Sequence, residues 1–261
     1  MDIDKISRLA ADFLDKSPLN RVEEVGIERI YDIPLLGAAK ADDPFFVKLK
    51  EPEVVGEHHL LPEEWLPGAK TVLSYFLPYS WEIREANRSP GLPAKKWLYG
   101  RIEGEELNRA LRKHLVEELT REGHKAVVPS LDPRFSIQEL RSNWSERHVA
   151  FIAGLGTFGL SKSLITEKGC AGRYGSIIMD VDIKTTPRAY EGIYEYCNYC
   201  YACIERCPAG AIREEGKNTP DCARYLDKEV KARFAPRYGC GKCQTAVPCE
   251  DSIPDPVNCC S

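Results

Sequence analysis

A closely spaced run of cysteines carries the most specific chemical signal in the sequence. Cys197, Cys200 and Cys203 are separated by two residues each, and Cys207 follows after three more, directly before Pro208. The spacing C-x2-C-x2-C-x3-C-P is typical of modules with two [4Fe–4S] clusters, in which three cysteines bind one cluster and the fourth binds the other. Two-residue gaps allow a tightly wound loop to direct successive thiolates at one compact cluster. The run therefore predicts iron–sulfur chemistry.

Three later cysteines can complete a second cluster. Such a cluster needs three thiolates besides Cys207, and Cys222, Cys240 and Cys243 can supply them. Zinc is the alternative, because structural zinc sites use two separated C-x2-C pairs. Three cysteines at successive two-residue gaps, followed by C-P, fit that pattern poorly, so the spacing favours iron–sulfur clusters.

The remaining cysteines leave one ligand open and exclude one class of protein. Cys249 is the nearest candidate for the fourth ligand of the first cluster, and Cys259 or Cys260 could replace it. Of the 11 cysteines only Cys170 precedes residue 197. A secreted disulfide scaffold would spread an even number of cysteines along a short chain. The uneven distribution therefore predicts ligation in a reducing cytoplasm.

Charge and hydropathy give few further restrictions. The net charge is −4, which does not indicate the basic face that binding to nucleic-acid phosphates generally needs. No run approaches the roughly 18 consecutive apolar residues of a membrane helix, and the amphipathic N-terminus does not resemble a signal peptide. A cytoplasmic protein without a membrane partner is expected.

A glycine-rich loop follows a short apolar segment. Gly154, Gly156 and Gly159 match G-x-G-x-x-G, but a dinucleotide site also needs a long helix after the loop. Residues 160–168 are too short and polar for such a helix. The loop either allows the backbone to approach a flat or bulky cofactor, or forms a tight turn beside a packed helix.

Alternating hydrophobic patterns predict an α/β domain over residues 1–190 and a small cluster-binding domain over residues 191–261. In the second domain cysteine, proline and glycine dominate and the periodicity fades. Residues 40–68 and 78–100 contain many prolines and glycines and are expected to be irregular. Helices are predicted near the N-terminus, at 105–120 and at 145–153; strands are predicted at 69–77, 125–129 and 174–183, with a weaker one at 22–31.

Taken together, these motifs resemble a known family. The segment HVAFIAGLGTFGLSKSLIT, followed by a strand and by C-x2-C-x2-C-x3-C-P-A-G-A-I, resembles the epoxyqueuosine reductases, which are related to the reductive dehalogenases. The resemblance extends over roughly residues 15–250. It implies a nitroreductase-like α/β domain that binds cobalamin and a ferredoxin-like domain with two [4Fe–4S] clusters. In that family, electrons pass through the clusters to a corrinoid cobalt, whose reduced form does the chemistry.

The resemblance also assigns residues to the two clusters and to the corrinoid pocket. One cluster would be bound by four cysteines and the other, nearer the corrinoid, by four more. The glycine loop would line the corrinoid pocket together with two residues that precede a helix. The first set is Cys197, Cys200, Cys203 and Cys249; the second is Cys207, Cys222, Cys240 and Cys243; the pocket residues are Gly154, Leu155, Gly156, Phe158, Gly159, Tyr99 and Arg101.

The sequence departs from the family at its expected proton donor. Family members carry a D-S/T-x-P-x-x-E segment whose aspartate is the proposed donor. Placing its glutamate on Glu146 puts Leu140 at the aspartate position. Glu139 and His148 are the remaining catalytic candidates. The tRNA-acting members also continue into a helical-repeat domain, which is not expected here because the sequence ends at Ser261.

Three functions are therefore considered. The first is an oxidoreductase that passes low-potential electrons through two clusters to a cobalamin for a reductive reaction on a small molecule. The second is an electron-transfer or activating protein for a partner corrinoid protein. The third is an epoxyqueuosine reductase, although tRNA is not the expected partner. A ferredoxin or flavodoxin is expected as the electron donor in each case.

Overall fold

The computed structural model describes residues 1–256 and combines an α/β body with an irregular cysteine-rich segment. No helix within this part of the chain is long and apolar enough to cross a membrane. The helices are α1 (Ile3–Lys16), α2 (Pro44–Lys48), α3 (Pro62–Trp65), α4 (Trp81–Asn87), α5 (Lys95–Arg121), α6 (Glu146–Ile152), α7 (Ala202–Glu205), α8 (Thr219–Tyr225) and α9 (Ala232–Phe234). The strands are β1 (Leu35–Lys40), β2 (Thr71–Pro78), β3 (Ala126–Val127), β4 (Ile137–Gln138), β5 (Arg141–Ser142), β6 (Gly156–Phe158), β7 (Leu164–Thr166), β8 (Gly172–Met179), β9 (Ile212–Arg213) and β10 (Gly216–Lys217).

An antiparallel sheet of order β1-β2-β8-β3 forms the centre of the body. Every residue of β2 is buried, because helices cover both faces of the strand. Leu73 and Tyr75 face a core shared with α1 and α5, whereas Val72 and Phe76 face a second core shared with α6. This α/β fold confirms the predicted fold class.

The strands predicted at 69–77 and 174–183 and the predicted N-terminal helix are confirmed. The prediction for 105–120 was too short, because α5 begins at Lys95 and passes through Gly100 and Gly104. These glycines are packing positions: a Cβ on Gly100 would lie 2.9 Å from Ile83, and one on Gly104 would lie 2.5 Å from Tyr31. Gly100, one of the residues that suggested an irregular segment, therefore allows α4 to pack closely against α5.

The strand predicted at 22–31 is wrong. This segment contains a 3₁₀ helix, Glu23–Val25, and forms only isolated bridges, between Val22 and Ile27 and between Tyr31 and Tyr79. The Asn20 side chain accepts hydrogen bonds from the amides of Ile30 and Tyr31 at 3.1 and 2.9 Å. Backbone groups that a strand neighbour would satisfy are thus satisfied locally. The expected irregular stretches 40–68 and 78–100 also contain α2, α3, α4 and the first turns of α5.

The cysteine-rich segment is attached to α4 by charged contacts. The Arg206 guanidinium donates to the carbonyls of Arg88 and Asn87 at 2.8 and 3.2 Å. The nearly buried Glu250 carboxylate accepts hydrogen bonds from Arg84 and Arg88. Charge-assisted hydrogen bonds of this kind fix orientation, so the segment has a defined position against the α/β body.

Candidate functional site

A cavity of about 580 Å³ lies between the α/β body and the cysteine-rich segment. This volume is within the range of small-molecule and cofactor sites. One wall comes from α5, from the start of β8 and from the hairpin that joins β4 to β5. The opposite wall comes from the segment around α8 and from the loop that follows α9.

The cavity separates the eight candidate cluster ligands into two sets. Four of them, Cys207, Cys222, Cys240 and Cys243, line the cavity. The other four are not among the lining residues. The division coincides with the two ligand sets that the family resemblance implies, with the set assigned nearer the corrinoid on the cavity wall.

The first set, which does not line the cavity, gathers around the half-buried thiol of Cys203. Burial and the nearby thiols of Cys243, Cys249, Cys197 and Cys200 together raise the pKa of Cys203 to about 12. These neighbours include all three other cysteines of the first predicted cluster. Among residues 1–256, no three Cys, His, Asp or Glu side chains converge on the position of a single metal ion. In a cubane each thiolate binds a different iron, so the ligands surround the whole cluster.

One glycine brings the cavity-lining cysteines close to α5. Gly241 lies between Cys240 and Cys243 and has a φ of +64°. A Cβ at this position would lie 1.9 Å from the Trp97 ring. A side chain here would therefore be strained and would push the cysteine loop away from α5.

Two glutamates and a buried arginine form a network on the body side of the cavity. Arg112 donates to Glu105 at 2.9 Å and lies 3.5 Å from Glu146. Arg173 donates to the second Glu105 oxygen at 2.6 Å, and the Ser176 hydroxyl donates to Glu146 at 2.6 Å. Glu105 thus has two cationic partners, while Glu146 shares one of them and has a neutral donor.

These surroundings shift the two carboxyl pKa values in opposite directions. Burial acts to raise the pKa of Glu105, but Arg173 and Arg112 together lower it to about 2. Burial also raises the pKa of Glu146, and the opposing effects of Arg112 and Ser176 are too small to reverse this. Paired acids with separated pKa values are typical of sites that transfer protons. Of these two cavity acids, Glu146 therefore keeps its proton to the higher pH.

In the sequence, Glu146 served only to align the family segment, and it was not predicted as a catalytic residue. An acidic residue in the first turn of a helix is an ordinary feature, because it complements the helix dipole. Glu146 meets Arg112 on the cavity wall only because α5 and β8, which are distant in sequence, pack close to α6 in the fold.

The hairpin between β4 and β5 holds the position of the family aspartate. Glu139 and Leu140 form its turn, with φ angles of 48° and 66°. Leu140 lines the cavity, whereas Glu139 is exposed and is not among the lining residues. The structure thus places the hydrophobic residue, and not its acidic neighbour, at the cavity.

The glycine loop, which was predicted to line a corrinoid pocket, does not line this cavity. Gly154, Leu155, Gly156, Phe158 and Gly159 are not among the residues that line the cavity. A Cβ on Gly156 would lie 1.9 Å from the carbonyl oxygen of Ile165, because β6 pairs closely with β7. The loop thus continues into the short strand β6, which packs tightly against β7 at Gly156. The lining instead includes Ser163 and Leu164, just beyond the loop.

Of the other predicted pocket residues, one lines the cavity and one does not. Arg101 is on the wall, and its guanidinium lies over the Tyr238 ring. Tyr99 points elsewhere: its hydroxyl donates to Glu24, and the Arg237 guanidinium lies 3.5 Å from its ring centre. Tyr99 therefore joins α5 to neighbouring segments.

His148, a catalytic candidate from the sequence, is held away from the cavity. Its Nδ1 lies 2.7 Å from the Ser145 hydroxyl, and its ring packs on Phe158. Burial lowers its pKa to about 3, so the ring is neutral near pH 7. Neither it nor Glu139 lines the cavity, and Glu146 is the stronger candidate for proton transfer.

Comparison with known proteins agrees with the cysteine pattern. The family model described as "4Fe-4S binding domain" matches residues 190–213. The epoxyqueuosine reductase of Bacillus subtilis (strain 168) is 27% identical over 214 residues, which cover 76% of this chain and 52% of that protein. The chain is thus similar in sequence to the epoxyqueuosine reductases. It spans about half the length of this curated relative.

Two solved structures have a fold similar to that of this chain. A catabolic reductive dehalogenase superposes with a TM-score of 0.59 at 14% identity, covering 84% of this chain and 30% of that one. An epoxyqueuosine reductase solved with an epoxyqueuosine-modified tRNA-Tyr stem loop superposes with a TM-score of 0.56 at 19% identity, covering 96% and 70%. The predicted resemblance to the epoxyqueuosine reductases is confirmed in sequence and fold, and the resemblance to the reductive dehalogenases is confirmed in fold.

Proposed function

We propose that this relative of the epoxyqueuosine reductases is an oxidoreductase that passes electrons through two [4Fe–4S] clusters to a corrinoid in the central cavity. The supporting observation is that Cys207, Cys222, Cys240 and Cys243 line that cavity. A cluster bound by these residues would border any ligand in the cavity. The cysteines of the first cluster would be Cys197, Cys200, Cys203 and Cys249; Cys259 and Cys260 lie outside the described residues.

The cavity wall has the polar groups that a cobalamin would require. Cobalamin carries a phosphate and several amide side chains, which bind cationic groups and hydrogen-bond donors. The Nε atoms of Arg112 and Arg173 and the hydroxyl of Ser130 are buried without a hydrogen-bond partner in the described part of the chain. All three residues line the cavity. Because buried polar groups without partners are costly, these residues fit a site that a polar ligand completes.

The charge of the wall also suits an anionic group. Its lining includes six cationic residues and two glutamates, and both glutamates are engaged by Arg112. The cationic residues are Arg101, Arg109, Arg112, Arg147, Arg173 and Lys217. These residues would hold the ligand, and a bound corrinoid would supply one-electron and two-electron reduction chemistry.

Within this site the protein's own residues carry electrons and a proton. The four cavity-lining thiolates would hold the cluster that borders the ligand. The Glu146 carboxyl would hold a proton at Oε1 or Oε2, and its bonds to Arg112 and Ser176 would fix its position. A reductive reaction needs both, because added electrons are commonly accompanied by a proton.

Metal analysis tests the proposal. The protein is purified without oxygen and incubated with cobalamin, and bound iron and cobalt are then quantified. Two cubane clusters correspond to about eight irons. About eight irons and one cobalt per chain support the proposal. Eight irons without cobalt contradict corrinoid binding and favour an electron-transfer protein that serves a partner.

An Arg109→Glu variant should bind cobalamin roughly 10–100-fold more weakly, because a hydrogen bond to a charged group contributes about 1.5–3 kcal/mol. Arg109 is exposed on the cavity wall of α5. Lys113→Glu makes the same charge change on an exposed residue of the same helix that is not among the lining residues. Equilibrium dialysis should show weaker binding only for the first variant. Equal affinities would place the corrinoid outside this cavity.

A second candidate function is the reduction of epoxyqueuosine in tRNA. The name of the curated relatives and the tRNA stem loop in one solved neighbour favour it. The position of Leu140 on the cavity wall makes it testable, because the family aspartate would project from this hairpin. A Leu140→Asp variant should convert an epoxyqueuosine-modified stem loop faster than the unaltered protein, as measured by mass spectrometry of the nucleoside. If neither protein forms product, this candidate is wrong.

A further inference from the structure

Cys170 is a buried cysteine outside the two ligand sets, and it contacts one of the ligands. Its side chain is completely inaccessible to solvent. Its Sγ lies 3.8 Å from the Sγ of Cys249, the fourth ligand proposed for the first cluster. This distance is consistent with a hydrogen bond between sulfur atoms. Cys170 belongs to the α/β body and Cys249 to the cysteine-rich segment, so the pair joins the two parts.

The backbone fixes this pair of thiols. The Cys170 amide donates to the Cys249 carbonyl at 2.9 Å, and the Gln244 side chain donates to the Cys170 carbonyl at 2.8 Å. Gly169 has a φ of +70°, and a Cβ there would lie 2.3 Å from the Asp251 amide nitrogen. The two segments can therefore approach closely only because residue 169 lacks a side chain. The approach aligns Cys170 with Cys249.

The protonation of the two cysteines determines which of them donates the hydrogen bond. When Cys249 binds iron it is a thiolate and has no proton to donate. The proton shared by the two sulfurs must then come from the Cys170 thiol. Burial from water removes competing donors and acceptors from this side chain. The contact is thus an S–H···S hydrogen bond from Cys170 to a cluster ligand.

We propose that the Cys170 thiol raises the reduction potential of the first cluster by donating this hydrogen bond to Cys249. Hydrogen bonds to cluster sulfurs are one of the factors that set such potentials. The direction of the shift in potential follows from charge. An added electron makes the cluster more negative, and a hydrogen bond donated to a ligand sulfur stabilises that more negative state. Cys170 is therefore a positioning and tuning residue and not a ligand. The proposal rests on the two-cluster function above.

Potentiometric titration followed by electron paramagnetic resonance tests this role. Cys170→Ala removes the donor, whereas Cys170→Ser keeps a hydroxyl donor of similar size. We expect the potential of the first cluster to shift to a more negative value in the alanine variant. In the serine variant it should stay nearer to that of the unaltered protein. The second cluster, which the cavity-lining cysteines would bind, should keep its potential in both variants.

Two results would overturn the proposal. The first is an unchanged potential in Cys170→Ala with full iron content. The second is an equal shift in both variants, which would indicate a packing effect. If the alanine variant does not fold, the serine variant still decides, since a potential far below that of the unaltered protein contradicts donor retention.

Iron content separates this proposal from the proposed function. If the unaltered protein binds about four irons instead of eight, the two-cluster function fails and this proposal fails with it. If it binds about eight irons and the Cys170→Ala variant keeps the original potential of the first cluster, the function stands and the tuning role is wrong. Loss of iron in Cys170→Ser would identify Cys170 as a ligand, which also contradicts the proposal.

Discussion

A Glu146→Gln variant is expected to lower the rate of reductive turnover by roughly 10²–10⁴-fold, the usual effect of removing a positioned proton donor. Glutamine has nearly the same shape and can still hydrogen-bond to Ser176 and Arg112, but it cannot donate a carboxyl proton. Bound iron and cobalt should therefore be unchanged. Turnover is measured with a chemical reductant and whichever acceptor, a halogenated phenol or an epoxyqueuosine stem loop, the unaltered protein reduces.

The pH dependence follows from the raised pKa of Glu146. The acid keeps its proton above the ordinary glutamate pKa of about 4.3, so the rate should fall as the pH rises through the shifted value. The folded protein also binds this proton more tightly than the unfolded chain. Folding stability should thus decline over the same window as the pH rises, and Glu146→Gln should lack that decline. Thermal denaturation across this range measures the difference.

A matched variant controls for the shared network. Glu105 lies on the same wall and contacts the same Arg112, but two arginines hold its pKa at about 2. Just above the ordinary glutamate pKa of about 4.3, the infrared carbonyl band of a protonated carboxyl should disappear in Glu146→Gln and persist in Glu105→Gln. A band that persists in Glu146→Gln, or an unchanged turnover rate, would contradict the assignment of the proton to Glu146. The other charged residues near Glu146 are Arg173 and Arg147, the residue that follows Glu146 in the sequence.

A Cys222→Ala variant is expected to lose the cluster at the cavity and about half of the iron. A [4Fe–4S] cluster has four protein ligands, and removing one commonly prevents stable assembly. Cys222 lies on the cavity wall with Cys207, Cys240 and Cys243, so the loss should be confined to the second cluster. Iron analysis and electron paramagnetic resonance should show about four irons and the signal of one cluster.

Cys170→Ala is the control for that experiment. Cys170 is also a cysteine, but it belongs to neither ligand set and should leave about eight irons in place. Loss of all iron from Cys222→Ala would show that the clusters do not assemble independently. Full iron content in Cys222→Ala would exclude Cys222 as a ligand.

The sequence was sufficient for the features that depend on local spacing. The ferredoxin-type run predicted an iron–sulfur segment, and the family model matches residues 190–213. Short apolar runs located β2 and β8, because a strand covered on both faces has a continuous apolar pattern. The ligand sets and the boundary near residue 190 stay predictions that the experiments above test.

Features that depend on distant contacts could not be predicted in this way. The glycine loop matched a cofactor motif, but at Gly156 the close approach of the Ile165 carbonyl requires a glycine for packing. Glu146 and Arg112 are 34 residues apart, so nothing local indicates that they meet. The cavity itself exists only because the cysteine-rich segment folds back onto α5.

Electron transfer from the cavity cluster to cobalamin tests the central claim most directly. Cobalamin is bound to the unaltered protein and to Cys222→Ala, and a reduced ferredoxin or flavodoxin is added without oxygen while cobalt absorbance is followed. If electrons reach the corrinoid through the cluster at the cavity, cobalt is reduced in the unaltered protein but not in Cys222→Ala, although both retain cobalt. Equal reduction in both proteins, or no retention of cobalamin by the unaltered protein, would contradict the proposed function.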